Sequence, residues 1–255
     1  MSDLTAAEDG VVSTRKRHRM IDRIAAIMEF VARSESRGVS LTDIAHQIDA
    51  PVSSTQGLVN GLVATGYLDV NGRRYVLGAA PYLLNLIAGR QLVASVTHED
   101  LNALHAEVGM TTVLSIAVGH DVFYVDHCSV DPRFAYLAEN YVRRSLIRTS
   151  SGWVLLADWD KRDLWTYLKS LGADDAGRVD SFLRGLSSIR ETGISAAPHA
   201  SEHGDGVSIA VRERGRTVAA VAVVGTPAEI DKHRERIISA LRRHSAQWLA
   251  RSPLG

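Results

Sequence analysis

Apolar residues recur at three- and four-residue steps from Met20 onward. Ile21, Ile24, Ile27, Met28 and Val31 share one stripe, which predicts an amphipathic helix. Arg37-Gly38 interrupts it. Ser40 followed by Asp43 reads as a capping box, and Leu41, Ile44, Ala45 and Ile48 form a second, shorter stripe. Asp49-Ala50-Pro51 breaks that helix. Proline suits the first position of a new one, because its missing N–H needs no partner there. A third helix is expected over 51–65, with Leu58, Val59, Leu62 and Val63 inward and Ser53, Ser54, Gln56 and Asn60 on a polar side. Gly66 fits a helix C-cap. Residues 67–70 and 73–77 then read as two strands around the hairpin turn Asn71-Gly72. Three helices and a two-stranded wing over 17–77 follow the helix-turn-helix plan, in which the second helix of the pair enters the major groove.

The pattern changes further along. Leu83, Leu84, Leu86, Ile87, Leu92 and Val93 predict a linker helix over 79–96, and residues 98–108 another helix. Apolar strands are expected at 111–118 and 122–125 around Gly119-His120-Asp121, and at 207–211 and 218–224 around Arg214-Gly215-Arg216. Helices are expected over about 151–157, 160–170 and 229–250. The fold class is therefore α+β, an antiparallel sheet flanked by helices behind a winged helix-turn-helix. The expected organisation is a flexible, basic-ended tail (1–16), a DNA-binding domain (17–78), the linker helix (79–96) and an effector-binding and oligomerisation domain (97–255).

Composition narrows the class. A hydrophobic share of 45% and a charged share of 23% exclude a largely disordered chain. No run of about 18 apolar residues occurs, so no partnership with a membrane is expected. The first residues carry no apolar signal core, and the single cysteine forms no internal disulfide, which together imply a cytoplasmic protein. Net charge is zero, yet residues 11–90 hold 10 Lys/Arg against 6 Asp/Glu while 91–255 hold 19 against 20. The surplus sits on the head, as DNA binding would require.

Enzyme chemistry has few candidates. No P-loop, G-x-S-x-G or G-x-G-x-x-G occurs, so no cofactor is expected. His199-Ala200-Ser201-Glu202-His203 matches H-x-x-E-H, whose zinc chemistry needs one continuous helix carrying both imidazoles and the glutamate. Pro198 before it and Gly204-Asp205-Gly206 after it argue for a loop, and no metal site is expected. Cys128 beside His127 reads as a small core residue. A metal-dependent hydrolase using His199, Glu202 and His203 is one alternative. A sensory ligand-binding module without DNA binding is the other.

The chain resembles the IclR family of bacterial transcriptional regulators. The similarity runs from about Arg19 to Ala250. It is carried by Leu41-Thr42-Asp43-Ile44-Ala45, Ala50-Pro51-Val52-Ser53-Ser54, Gly66-Tyr67-Leu68, Arg74-Tyr75-Val76-Leu77-Gly78, Val113 to Val125, Ser150-Ser151-Gly152, Ile189-Arg190-Glu191-Thr192-Gly193 and Gly206-Val207-Ser208-Ile209-Ala210. The resemblance implies a GAF-like effector domain, a homodimer or homotetramer, a pseudo-palindromic double-stranded DNA operator and a small organic or aromatic effector. Candidate DNA contacts are Arg15, Arg17 and Arg19 in the basic run, Ser40 and Thr42, Ser53, Ser54, Thr55, Gln56 and Asn60 on the third helix, and Arg73 and Arg74 in the wing.

By the same resemblance, the effector would meet Ser150, Ser151, Gly152, Trp153, Ser208, Ala222 and Val224. Three departures stand out. Val52 and Gly57 occupy positions where the family often has basic residues, which removes phosphate-pairing charge. Ala222, Val224 and a position near Ala197 stand where carboxylate-binding members have polar groups, and Trp153 stands where Lys is common. A less polar lining suits an apolar or aromatic acid.

Overall fold

The computed structural model describes residues 18–34, 37–88, 93–134, 142–196 and 204–251. The chain divides into two compact units, residues 1–90 and 91–255. The first unit contains α1 (Arg19–Arg33), α2 (Leu41–Gln47), α3 (Val52–Ala64), β1 (Leu68–Asn71), β2 (Arg74–Leu77) and α4 (Ala80–Ala88). Its core is Ile27, Val31, Val39, Ile44, Val59, Leu62 and Leu68. Burial of such side chains contributes roughly 1.5–3 kcal/mol each for the larger ones. The apolar stripe of α1 is only partly used, since Met20 and Ile21 are exposed.

The expected capping box forms. The Asp43 N–H donates to the Ser40 hydroxyl at 3.2 Å, and the Ser40 N–H donates back to the Asp43 carboxylate at 3.1 Å. Val39 exchanges two backbone hydrogen bonds with Tyr75, at 2.9 and 2.8 Å, and so ties the α1–α2 connection to the wing. The wing turn lies one residue beyond the expected dipeptide. Asn71 pairs with Arg74, Gly72 and Arg73 form the loop, and Gly72 alone takes a positive φ of 64°. That is the hairpin with glycine at the first central position. The linker helix does not run to residue 96 as expected: α4 spans Ala80–Ala88 and Val93–Val96 are not helical, while residues 89–92 lie outside the described residues.

The second unit is built on a six-stranded antiparallel sheet in the order β5-β4-β3-β8-β7-β6. Its strands are β3 (Thr111–Val118), β4 (Asp121–Cys128), β5 (Arg143–Ser145), β6 (Ile194–Ser195), β7 (Asp205–Glu213) and β8 (Arg216–Gly225). Helices α5 (His98–Val108) and α9 (Pro227–Arg251) pack on one face over Leu114, Val207, Ile209, Val221 and Val223. Helices α6 (Ser150–Ala157), α7 (Lys161–Lys169) and α8 (Ala176–Thr192) share the other core with Val113, Val122, Ala210, Ala220 and Ala222. Covering both faces explains why β3, β7 and β8 read as near-continuous apolar runs. Neither α8 nor the short strands β5 and β6 were expected from the sequence. Among the described residues no helix is long and apolar enough to cross a membrane.

Candidate DNA-binding face and effector site

On the head, Ser53, Ser54 and Asn60 stand exposed on α3, and Gln56 is half-buried beside them. The Gln56 Nε2 donates to Asn60 Oδ1 at 2.7 Å, so the two amides form one unit spanning a helical turn. Thr55 does not belong to this surface. It is completely buried, and its hydroxyl donates to the Pro51 carbonyl at 3.0 Å, so no duplex can reach it. Thr42 is exposed. Ser40 is half-buried, with its hydroxyl donating to Asp43 at 2.7 Å as well as accepting the Asp43 N–H. The Ser40 hydroxyl and amide together hold the Asp43 carboxyl below its ordinary value of 3.8. Arg19, Arg73 and Arg74 are exposed, and Arg74 also donates to the Gly38 carbonyl at 3.0 Å. Arg15 and Arg17 lie outside the described residues. Helix α3 itself carries no charged side chain.

In the body, the chain reaches α6 through a braced turn at Leu146–Arg148. The Tyr167 hydroxyl accepts the Ile147 N–H at 3.0 Å and pairs with Ser145 at 3.0 Å, and burial pushes the phenol pKa up. Arg148 grips Asp175 with two hydrogen bonds, at 2.9 and 3.2 Å, and Arg178 adds a third at 3.2 Å. Thr149 then caps α6, its hydroxyl accepting the Gly152 N–H at 2.8 Å. The Trp153 N–H returns to the Thr149 carbonyl. Ser150 and Ser151 therefore hold the first-turn amides that have no acceptor within their own helix.

These two serines press onto the sheet. The Ser208 hydroxyl on β7 lies 2.7 Å from the Ser150 hydroxyl and 3.2 Å from that of Ser151. Gly206 admits this approach, since an added Cβ would stand 2.9 Å from the Ser150 oxygen. Ser208 pairs with Ala222 and Gly206 with Val224, so Ala222 and Val224 flank the hydroxyls on the same sheet face. The structure thus brings together Ser150, Ser151, Ser208, Ala222 and Val224. Gly152 is used differently: its Cα faces the Leu146 backbone so closely that a Cβ would overlap the Leu146 carbonyl.

Trp153 departs from its expected place. Its indole N–H donates to the Ile147 carbonyl at 2.8 Å, and its ring packs edge to face on Phe182 of α8 at 5.6 Å. It is a core residue of the helical layer. Thr149, which shapes the site by capping it, was not among the sequence candidates, although Thr-Ser-Ser-Gly before an apolar run is a legible N-cap signal. The 199–203 motif and Ala197 lie outside the described residues. Among the described residues no group of three His, Cys, Asp or Glu side chains could hold a metal ion.

Comparison with known proteins bears on both units. Residues 20–72 match the IclR helix-turn-helix domain, and residues 86–250 match the bacterial transcriptional regulator IclR C-terminal domain. The chain belongs to the IclR family. It is a DNA-binding transcriptional regulator with an effector-binding C-terminal domain. No curated protein sequence matches it. Solved structures share the fold at low identity. An IclR homologue from Microbacterium hydrocarbonoxydans complexed with 4-hydroxybenzoate is 20% identical at a TM-score of 0.67, covering 90% of this chain and 97% of its own. An IclR transcriptional regulator from Alicyclobacillus acidocaldarius is 21% identical at 0.67, covering 93% and 100%. A family regulator from Silicibacter sp. TM1040 is 20% identical at 0.69, covering 92% and 98%.

Proposed function

We propose that this IclR-family chain acts without catalysis of its own, in the cytoplasm, as a homo-oligomer on a pseudo-palindromic operator, and that its effector is an organic acid with an apolar or aromatic body. The observation that carries the effector class is the composition of the α6 site. Two first-turn amides and three hydroxyls are gathered at one point, and Ala222 and Val224 supply apolar floor beside them. A carboxylate seated at the helix N-terminus satisfies the amides, and the apolar floor takes the rest of the molecule. The 4-hydroxybenzoate complex of the Microbacterium relative supports the same class. Calorimetric titration with a panel of acids tests it. Aromatic acids are expected to bind and glyoxylate and pyruvate to bind weakly; tight glyoxylate binding with no aromatic acid bound defeats the reading.

On the head, the exposure of Ser53 and Asn60 beside half-buried Gln56 supports these as the base-edge contacts, with Thr42, Ser54, Arg19, Arg73 and Arg74 as the backbone contacts. The exposed apolar side chains Tyr82, Leu83, Leu84 and Ile87 on α4 support self-association through that helix. One observation favours a second reading, a ligand sensor without an operator: α3 has no Lys or Arg to pair with phosphate. Selection of bound fragments from random DNA at two salt concentrations separates the two. A discrete palindrome supports the regulator, and absence of retention even at low ionic strength supports the sensor.

A further inference from the structure

The C-terminal end of α6 carries a cleft that the effector site does not use. It measures about 420 Å³ and is walled by Val154, Ala157, Trp159, Ile189 and Ala210, with Arg190 and Arg212 at its polar side. That volume falls within the range of small-molecule sites. The two guanidiniums differ in how they are held. Arg190 donates to the Ala157 carbonyl at 2.9 Å and to the Trp159 carbonyl at 3.5 Å, which fixes its plane against the end of α6 and offsets the negative end of the helix. Arg212 is exposed and has no hydrogen-bond or ion-pair partner among the described residues. The one carboxylate on the rim, Asp158, already accepts the Thr217 N–H at 3.0 Å. The cleft therefore joins a net positive side, with an unused fork of N–H donors, to an apolar wall containing an indole.

We propose that this cleft is a second small-molecule site, for an aromatic monocarboxylate. A guanidinium meets a carboxylate through two parallel N–H···O bonds, which a lysine cannot reproduce. Trp159 is half-buried on the cleft wall, its ring braced by Tyr167 at 5.7 Å and His120 at 6.2 Å, while Val154, Ile189 and Ala210 remove the remaining apolar surface from water. Nothing in this site overlaps the cluster of Ser150, Ser151 and Ser208, which lies at the opposite end of the same helix. A ligand at either end thus bears on α6.

The test titrates the full chain with 2-naphthoate and with uncharged 2-naphthamide, followed by calorimetry and tryptophan fluorescence. The expected result is a naphthoate event that survives Ser208→Val, weakens at least tenfold in Arg212→Glu, is partly kept in Arg212→Lys, and loses its fluorescence change in Trp159→Phe; naphthamide should not reproduce it. Arg212 is exposed, so its replacement leaves the core intact. The proposal is overturned if no event survives Ser208→Val, or if the surviving event ignores Arg212→Glu. It is equally overturned if Arg212→Glu instead reduces the sedimenting mass, which would make the cleft a contact between copies of the chain.

Discussion

Helices α3 and α6 begin with nearly the same side chains and serve opposite surroundings. Each carries two consecutive serines in its first turn, Ser53-Ser54 in one and Ser150-Ser151 in the other. On α3 the serines face water, and the helix starts after Pro51 with no side-chain cap. On α6 they are buried, capped by Thr149 and locked onto Ser208. The difference comes from what lies opposite. The first turn of α3 is exposed at Ser53 and Ser54, whereas α6 packs on the inner strands β7 and β8. A serine-rich helix start is thus exposed to solvent in one unit and built into a buried polar cluster in the other. Composition of the turn does not choose between these roles; tertiary context does.

The largest expected effect contrasts glycines on the two helices. Gly152→Ala would drive a Cβ into the Leu146 carbonyl, and backbone cannot rotate away as a side chain can. A loss of about 3 kcal/mol or more is expected, at the upper end of overpacking costs. Gly57 on α3 has nothing within 4 Å of an added Cβ, so Gly57→Ala should stabilise the head by about 0.5–1 kcal/mol through lower chain entropy. Denaturant unfolding of both variants measures the two shifts. If they had the same sign, the claim that α6 is clamped and α3 is free would be wrong.

Ser208→Ala comes next. It leaves the Ser150 and Ser151 hydroxyls buried without their shared partner, for an expected cost of about 1–3 kcal/mol. The corresponding change on the open helix, Ser53→Ala, should move stability by less than about 0.5 kcal/mol. An equal cost at the two positions would show that the Ser208 cluster is not isolated from water. Gly57→Arg probes the same open face electrostatically. One added phosphate contact should steepen the salt dependence of DNA binding by about one unit of log–log slope. An unchanged slope would place that face away from the duplex.

The sequence yields these elements unevenly, for physical reasons. The head was readable almost in full, because local signals set its elements: the Ser40–Asp43 box, the Pro51 break and the glycine turn of the wing. Where local signals mislead there, neighbours in space decide. Thr55 falls among polar residues but hydrogen-bonds back to Pro51 and is buried by the fold, and Ile21 continues an apolar stripe that the head does not cover. In the body, α8 went unread although Val179, Phe182, Leu186 and Ile189 are spaced as a helical stripe, because Gly177, Gly185 and interspersed charges mask the period. The buried serine cluster joins residues 149–152 to 206–208 and 222–224. Strand register across β7 and β8 joins the last two, and packing of α6 on those strands adds the first; no local pattern encodes either.

The smallest effect distinguishes two capping boxes, one in each unit. Asp43 completes the Ser40 box of α2 and Asp100 the Thr97 box of α5, and both carboxyls are held below their ordinary value of 3.8. At Asp43 the lowering comes first from the Ser40 hydroxyl and amide, with the Arg74 and His46 charges contributing less. At Asp100 burial opposes ionisation, and the hydrogen bond from Arg251 with those from Thr97 outweighs it. In each case the folded pKa is depressed, so the stabilisation is fully present above the unfolded value and is lost as pH falls through the folded one. Both boxes should therefore hold at neutral pH and weaken only in the acid range below about 4. Carboxyl carbon shifts followed by NMR give the two midpoints directly. Raising ionic strength should move the Asp100 midpoint upward more than that of Asp43, because an exposed Arg251 charge is screened by salt whereas short hydrogen bonds from Ser40 are much less affected. If Asp43 moved as far as Asp100, its carboxylate would be held by charge, and the local origin assigned to the head's second helix would fail.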